Sequence, residues 1–321
     1  MLARIFLKDG RLRPWLRVLV YVLAALAAQL LLAILISVGY EIAMGPRAIF
    51  LHTPVWLDEL ISVIAVVAIA IVLRLYLDRR SLESLGITFR TRWVRLFALG
   101  VLFGAGTQLA VFAFEIASGQ SRIVDVSLSA FVVRSVLVWF GIFLIAALAE
   151  EYPLRGYILQ NLWEEFSPWR FAFWPAAILT SLAFALLHAK NPNFGELPWM
   201  TIANIAVDGM WACLTVLWTR SLWLAWGAHF AWNLFEGPIL GAPVSGIHAG
   251  FSIVTQQVTG PALITGGDFG PEAGIPVLVV QLVGIGALYA LYRLGAFAGL
   301  PDTREAYAKE ADVPAPIAAQ N

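Results

Sequence analysis

Long apolar stretches recur along the whole chain, and they constrain its fold more than any other feature. Most contain about 20 residues with few charges, the length that an α-helix needs to cross the hydrocarbon core of a bilayer. The chain is 60% hydrophobic and 13% charged, whereas ordinary soluble domains are about 25% charged. The sequence therefore predicts an all-α, polytopic helical membrane protein. About eight transmembrane helices are predicted, at 18–44, 55–77, 96–117, 128–165, 174–190, 199–219, 222–240 and 275–294.

The predicted spans form one integral membrane domain, residues 18–296, between a basic N-terminal segment, 1–17, and a polar tail, 297–321. Eight crossings place both termini on one side. Lysine and arginine concentrate on that side, whereas the Gly/Pro-rich segment 241–272 contains neither. By the positive-inside rule, both termini are predicted to be cytoplasmic, with the protein in the cell membrane.

The charge balance and the cysteine content exclude several classes of partner and site. Lysine plus arginine equals aspartate plus glutamate at 21 each, so no nucleic-acid partner is expected and the lipid bilayer is the main one. Cys213 is the single cysteine. An intramolecular disulfide and a Cys-rich metal site are therefore excluded.

One stretch, A-E-E-Y-P-L-R-G at 149–156, places three charges inside the predicted fourth span. Each charge near the bilayer centre costs about 2.5 to 3.5 kcal/mol unless it is paired or used. In a continuous helix, Glu151 and Arg155 are four residues apart and can pair, while Glu150 points about 100° away. Pro153 removes a backbone donor and loosens this turn. The alternative is a helix end whose charges are solvated at the interface.

Three further polar residues lie in predicted spans. His188 ends S-L-A-F-A-L-L-H, and His229 and Asn233 lie in G-A-H-F-A-W-N. His229 and Asn233 are four residues apart and share one helix face. At 1.5 Å per residue, His188, His229 and Glu150 all fall at about mid-membrane depth. The sequence therefore predicts that these side chains converge, whereas His52 and His248 lie in loops and are expected to have no role.

Two kinds of chemistry fit a carboxylate, two imidazoles and a carboxamide in one cavity. In the first, a glutamate takes a proton from water while imidazole and amide groups stabilise an oxyanion. In the second, Glu150, His188 and His229 bind a divalent metal such as zinc, with one position left for water. Both schemes hydrolyse an amide bond. A Ser-His-Asp triad is not indicated, because no serine lies in a nucleophile elbow.

Three motifs in order, E-E-x-x-x-R, F-x-x-x-H and H-x-x-x-N, resemble those of the CPBP intramembrane metalloproteases. This family is also called the CAAX-protease and bacteriocin-processing, or ABI, family and includes the type II CAAX prenyl endopeptidase. The motif residues here are Glu150, Glu151 and Arg155, then Phe184 and His188, then His229 and Asn233. The resemblance covers about 137–240.

The resemblance implies a role for each motif residue. Glu150 would activate water together with His188, and His229 with Asn233 would stabilise the oxyanion. Glu151 and Arg155 would be an orienting, structural pair, and Phe184 belongs to the same structural set. The implied substrate is a peptide or protein, either prenylated at a C-terminal CAAX sequence or carrying a leader peptide.

Two other functions are compatible with the same residues. Buried Glu, His and Arg also mark the ion paths of proton-coupled transporters, although the chain lacks the inverted repeats typical of many of these. A non-catalytic membrane scaffold or immunity protein would keep the fold with an idle site. Segment 241–272 either alters access to the site or is inert.

Overall fold

The predicted helices are present in the computed structural model of the chain, which describes residues 6–8, 10–44, 55–89, 92–167 and 169–297. The side chains of residues 40, 43, 44 and 55–62 lie outside this description, as do His52 and nearly all of the predicted tail. In chain order the helices are α1 Pro14–Met44, α2 Val55–Val72, α3 Trp93–Ala117, α4 Ala130–Glu151, α5 Leu159–Phe166, α6 Phe173–Leu187, α7 Pro198–Thr219, α8 Trp223–Leu234, α9 Ala262–Thr265 and α10 Ile275–Arg293.

Six helices in the described part of the chain are long and apolar enough to cross a membrane. They span Pro14–Gly39, Trp93–Ala117, Ala130–Phe166, Phe173–Lys190, Pro198–Thr219 and Ile275–Arg293. The other two predicted spans correspond to shorter helices. Val63–Leu77 is the described apolar part of the second, and α8 with the π-helical turn Phe235–Ile239 is the seventh. The polytopic helical membrane fold is confirmed, and the cytoplasmic placement of the termini stays a prediction.

Two small antiparallel sheets are present that the all-α prediction omitted. Strands β1 Leu7–Lys8 and β2 Arg11–Leu12 form one, and β3 Ser121–Val126 pairs with β4 Val254–Val258 to form the other. Strand β4 belongs to segment 241–272, so this segment is folded onto the membrane domain. The second sheet was missed because its strands are short and separated by more than 120 residues, so no hairpin pattern marks it.

Helices α3 and α8 approach each other closely because glycine lines both sides of their contact. A Cβ atom on Gly100 would collide with the carbonyl oxygen of Leu224, and one on Gly104 would collide with that of Ala228. Gly227 of α8 faces the carbonyl of Phe97 in the same way. Small residues allow such backbone contact between membrane helices. This contact fixes the position of α8, which carries His229 and Asn233.

A buried carboxylate, Asp78, connects the N-terminal helices to the segment that carries the glutamate pair. It accepts hydrogen bonds from Arg74 at 3.0 Å, Tyr157 at 3.1 Å and Asn161 at 3.4 Å. Arg17 of α1 lies 3.8 Å away and is also buried. Buried charges are tolerated when they are paired and hydrogen-bonded in this way. The network therefore holds α1 and α2 against the C-terminal half of the helix Ala130–Phe166. This helix carries the glutamate pair and is called the motif-bearing helix.

The glycine contact between α3 and α8 can be tested with two alanine substitutions in one helix. Gly104→Ala is expected to lower the free energy of unfolding by about 1 to 3 kcal/mol, because the new methyl group overpacks the contact. Gly106 is the matched control, since a Cβ there meets no atom within 4 Å. Gly106→Ala is expected to be neutral or stabilising by up to about 1 kcal/mol. Equal effects of the two substitutions in a detergent unfolding titration would contradict the close packing.

Candidate active site

The helix from Ala130 to Phe166 is continuous through the charged stretch and changes its winding there. Residues Tyr152–Ile158 form a π-helical segment with Pro153 near its start. Proline has no backbone N–H, so the regular hydrogen-bond ladder cannot pass through it, and wider π turns are common at functional sites. The predicted local loosening is therefore present as a π-helical segment, and the helix does not end within the charged stretch.

The two neighbouring glutamates face different environments. The side chain of Glu150 is 41% exposed, and that of Glu151 is 2% exposed. This difference follows from the helical geometry, since consecutive side chains are about 100° apart around the axis. Glu150 lines a cavity, whereas Glu151 points into the protein. The pair therefore supplies one accessible and one buried carboxylate.

Glu151 connects the first and third motifs. Its Oε1 atom accepts a hydrogen bond from Arg155 at 3.1 Å, which confirms the predicted i, i+4 pair. The same oxygen lies 2.9 Å from Nδ1 of His229 on α8. Because a carboxylate only accepts, Nδ1 carries the proton of this hydrogen bond. His229 therefore directs its Nε2 atom away from Glu151, and that atom lies 3.8 Å from Oε2 of Glu150.

The ring of Phe184 lies among the charged residues of the site. The guanidinium carbon of Arg155 is 4.3 Å from the centre of this ring. The same ring meets His188 edge-on at 4.8 Å and His229 at 6.0 Å between centres. A cation over an aromatic face is attracted by the ring quadrupole. Phe184 thus links the second motif to the other two.

His188 directly follows the last residue of α6 and lines the cavity. Its Nδ1 atom lies 2.9 Å from the backbone carbonyl of Phe184. A carbonyl oxygen only accepts hydrogen bonds, so Nδ1 carries the proton and Nε2 of the neutral ring has a free lone pair. His188 can therefore accept a hydrogen bond from a water molecule in the cavity.

The four predicted catalytic residues line one cavity of about 440 Å³. Glu150 enters it from α4, His188 from the end of α6, and His229 and Asn233 from α8. Apolar side chains of α1, α2 and α4 line another part of the wall, among them Leu26, Val66 and Phe143. The predicted convergence of these side chains is confirmed. Segment 241–272 also reaches this wall, through Val244, Ser245, Ile247 and Glu272.

A second, much smaller cavity lies beside His229 and Glu151. Its volume is about 40 Å³, enough for a water molecule. Asp208 and Gln281 line both this chamber and the larger cavity. Glu151 lines the small chamber, and its Oε2 atom is buried without a hydrogen-bond partner. The chamber therefore provides room for a water that satisfies this oxygen.

The donor set does not fit a metal ion in its present arrangement. In the part of the chain that the structure describes, no three His, Cys, Asp or Glu side chains form a group that could hold one. Glu150, His188 and His229 share a cavity without forming such a group. Zinc binding by these three residues stays a prediction, and elemental analysis of the purified protein measures it.

Sequence reasoning missed two acidic residues of the cavity, Asp208 and Glu272. Asp208 lies in the middle of α7 and faces both cavities. An ionisable residue inside a predicted span is itself a signal of function, and this signal could have identified Asp208. No such signal exists for Glu272, since it lies in a loop-like segment and reaches the cavity only through tertiary folding.

Residues 132–235 match the family model described as Type II CAAX prenyl endopeptidase Rce1-like. The matched segment is about a third of the chain and contains all three motifs, from Glu150 to Asn233. No curated protein and no solved structure matches the chain. The family resemblance indicated by the motifs is therefore confirmed over the segment that forms the candidate site.

The buried pair of Glu151 and Arg155 can be tested by removing one or both charges. Arg155→Met is expected to destabilise the protein by about 3 to 5 kcal/mol, because it leaves the Glu151 carboxylate without its cation. The double variant Glu151→Gln/Arg155→Met should lose less, since no uncompensated charge remains. Arg122 on strand β3 is exposed, so Arg122→Met is the control and should change stability by about 0.5 kcal/mol or less. An Arg155→Met protein as stable as this control would contradict the assignment.

Proposed function

We infer that this chain, whose residues 132–235 match the type II CAAX prenyl endopeptidase Rce1-like family model, is an intramembrane endopeptidase that hydrolyses a peptide bond with glutamate-activated water. One observation carries the proposal. The Nδ1 atom of His229 is hydrogen-bonded to Glu151 Oε1 at 2.9 Å, which fixes the orientation of the ring. The Nε2 atom of the same ring lies 3.8 Å from Glu150 Oε2, and both residues line a cavity of the membrane domain. The family supports a protease role, and this geometry supports the assignment of its chemistry to Glu150.

The nucleophile of the proposed reaction is a water molecule held by Glu150 and His188. Glu150 and His188 line the same cavity, and a water there can donate one hydrogen to each of them. Glu150 takes one proton of this water as general base. The other hydrogen stays on the water oxygen and donates a hydrogen bond to the free Nε2 atom of His188, which orients the water toward the scissile carbonyl.

Attack of the water oxygen on the carbonyl carbon forms a tetrahedral intermediate with a negative oxygen. The amide of Asn233 donates to this oxygen, and His229 donates from Nε2 when its ring is protonated. Such donors stabilise charge that develops in the transition state, and removal of one costs about 10² to 10³ in kcat. The proton held by Glu150 then passes to the leaving amine as the carbon–nitrogen bond breaks, so that a carboxylic acid and an amine are released.

The proposed substrate is a peptide or protein that enters the cavity from the membrane. The apolar wall formed by Leu26, Val66 and Phe143 suits an apolar segment or a prenyl group beside the cleaved bond. We propose that the chain processes CAAX-type C-termini or leader peptides. We also propose that both termini lie in the cytoplasm, from the distribution of lysine and arginine.

The proposal is tested with a pool of prenylated and unprenylated peptides, whose cleavage by the purified protein is read by mass spectrometry. His188→Ala is expected to lower cleavage by about 10² to 10⁴, the usual contribution of acid–base groups, while the protein still folds. His248 is the matched control because it is exposed and lies outside the cavity. His248→Ala should cleave at the wild-type rate.

Equal cleavage by the two histidine variants would contradict the assignment of His188. If the wild type cleaves no peptide of the pool, the endopeptidase proposal fails for these substrates. Substrate-dependent proton flux in liposomes would then support the transporter alternative. An unchanged cellular phenotype of Glu150→Ala would instead support the non-catalytic scaffold.

A further inference from the structure

Part of the cavity wall presents hydrogen-bond acceptors that the proposed chemistry does not use. Four residues supply them, namely Asn204 and Asp208 of α7, Glu272 of segment 241–272 and Gln281 of α10, and all four line the same cavity as Glu150. These four residues form the acceptor wall.

The amide of Asn204 has a defined orientation. Its Nδ2 atom donates to the backbone carbonyls of Glu272 and Gly274, each at 2.8 Å. Because carbonyls only accept, the nitrogen must face them and the Oδ1 atom must face the other way. Oδ1 is buried without a hydrogen-bond partner, and the whole residue is fully buried at 0% exposure. A buried acceptor of this kind costs free energy until a donor reaches it.

Asp208 follows Asn204 by one helical turn, so both lie on the same face of α7. It lines the small cavity together with Glu151 and His229. No hydrogen bond to the Asp208 carboxylate is present among the described residues, although it lines both cavities. Gln281 lines the same two cavities, and its Oε1 atom is also buried without a partner.

Glu272 brings a second carboxylate to the acceptor wall. Trp232 donates to its Oε1 atom at 3.2 Å and Ser245 donates to its Oε2 atom at 2.5 Å. An ionised carboxylate has about four acceptor sites, so each oxygen can accept a further hydrogen bond. The two partners hold Glu272 in place without using up its capacity as an acceptor.

The charges around the cavity are unbalanced. Glu150, Asp208 and Glu272 line it, whereas Lys190 is the one lysine or arginine among the described lining residues and is exposed. Arg155 is engaged by Glu151. Carboxylates inside a membrane domain are costly without a compensating charge. A ligand that carries several N–H donors and a positive charge would satisfy both the acceptors and the carboxylates.

We propose that the acceptor wall is a binding subsite for an alkylammonium or guanidinium group, supplied by a lysine or arginine side chain of the peptide substrate. The source of the group rests on the proposed function, because it assumes that a peptide occupies the cavity. Asp208 and His229 line the same two cavities, so a cation bound at Asp208 places the basic residue close to the cleaved bond. Asp208 is thus a specificity-determining residue that the three motifs do not include.

The test compares two peptides that differ only in one side chain, lysine or its uncharged analogue norleucine. Both have acetylated N-termini, so the side chain is the only difference in ammonium groups. The wild type is expected to cleave the lysine peptide with a kcat/KM at least about tenfold higher, the usual effect of a hydrogen bond to a charged group. In Asp208→Asn this ratio should fall to within about twofold. Asp125→Asn removes the same charge from exposed strand β3 and should keep the wild-type ratio.

Gln281→Met is the second variant, in case Asp208→Asn does not fold. It keeps the shape of the side chain, removes its acceptor, and should reduce the lysine preference by about threefold or more. Equal cleavage of both peptides by the wild type, or an unchanged preference in a folded Asp208→Asn protein, would overturn the proposal.

A binding measurement separates this proposal from the proposed function. Fluorescence anisotropy compares the two peptides on Glu150→Gln and on Glu150→Gln/Asp208→Asn, which requires no cleavage. Tighter binding of the lysine peptide, lost in the double variant, supports the subsite even if the wild type cleaves neither peptide. Equal affinities for both peptides on the Glu150→Gln protein would overturn the subsite whether or not the chain is a protease.

Discussion

The arrangement of the candidate site depends on one buried carboxylate, Glu151, which is shared between Arg155 and His229. Arg155 supplies the positive charge that makes a carboxylate tolerable inside the membrane domain. His229 receives its orientation from the same oxygen. The interaction joins the motif-bearing helix to α8, so that the position of the imidazole is determined by two helices together. A carboxylate that orients a functional histidine in this way is also common around metal sites.

Glu150 and Glu151 are neighbours in sequence, but the helix turns their side chains toward different environments. One helical step separates Glu150 from Glu151, and this rotation leaves the first at the cavity and turns the second into the protein. Glycine contacts between α3 and α8 then fix the position of the helix that carries His229, because larger side chains would hold the two backbones apart. The buried network at Asp78 stabilises the other end of the same motif-bearing helix. Glu150 thus lies where it can act on a substrate, whereas its neighbour Glu151 has a structural role.

Much of this arrangement follows from the sequence. The length of the apolar stretches predicts the spans, and the i, i+4 spacings predict both the pair of Glu151 with Arg155 and the shared face of His229 and Asn233. The contact between Glu151 and His229 could not be predicted, because it depends on how two helices 78 residues apart pack. The pairing of β3 with β4 and the position of Glu272 at the cavity likewise depend on tertiary packing, so they could not be predicted from local sequence patterns. Asp208 was recognisable in the sequence as a charge within a predicted span, but only the structure shows that it lines both cavities.

The most direct test measures stability and cleavage together for variants of the two neighbouring glutamates, Glu150→Gln and Glu151→Gln. Glu150→Gln is expected to lose about 10² to 10⁴ in kcat and to keep the wild-type unfolding free energy within about 0.5 kcal/mol. Glu151→Gln, by contrast, should lower the unfolding free energy, because Arg155 remains buried without its anion. Wild-type cleavage by Glu150→Gln, or the same loss of stability in both variants, would contradict the division of roles between these two residues.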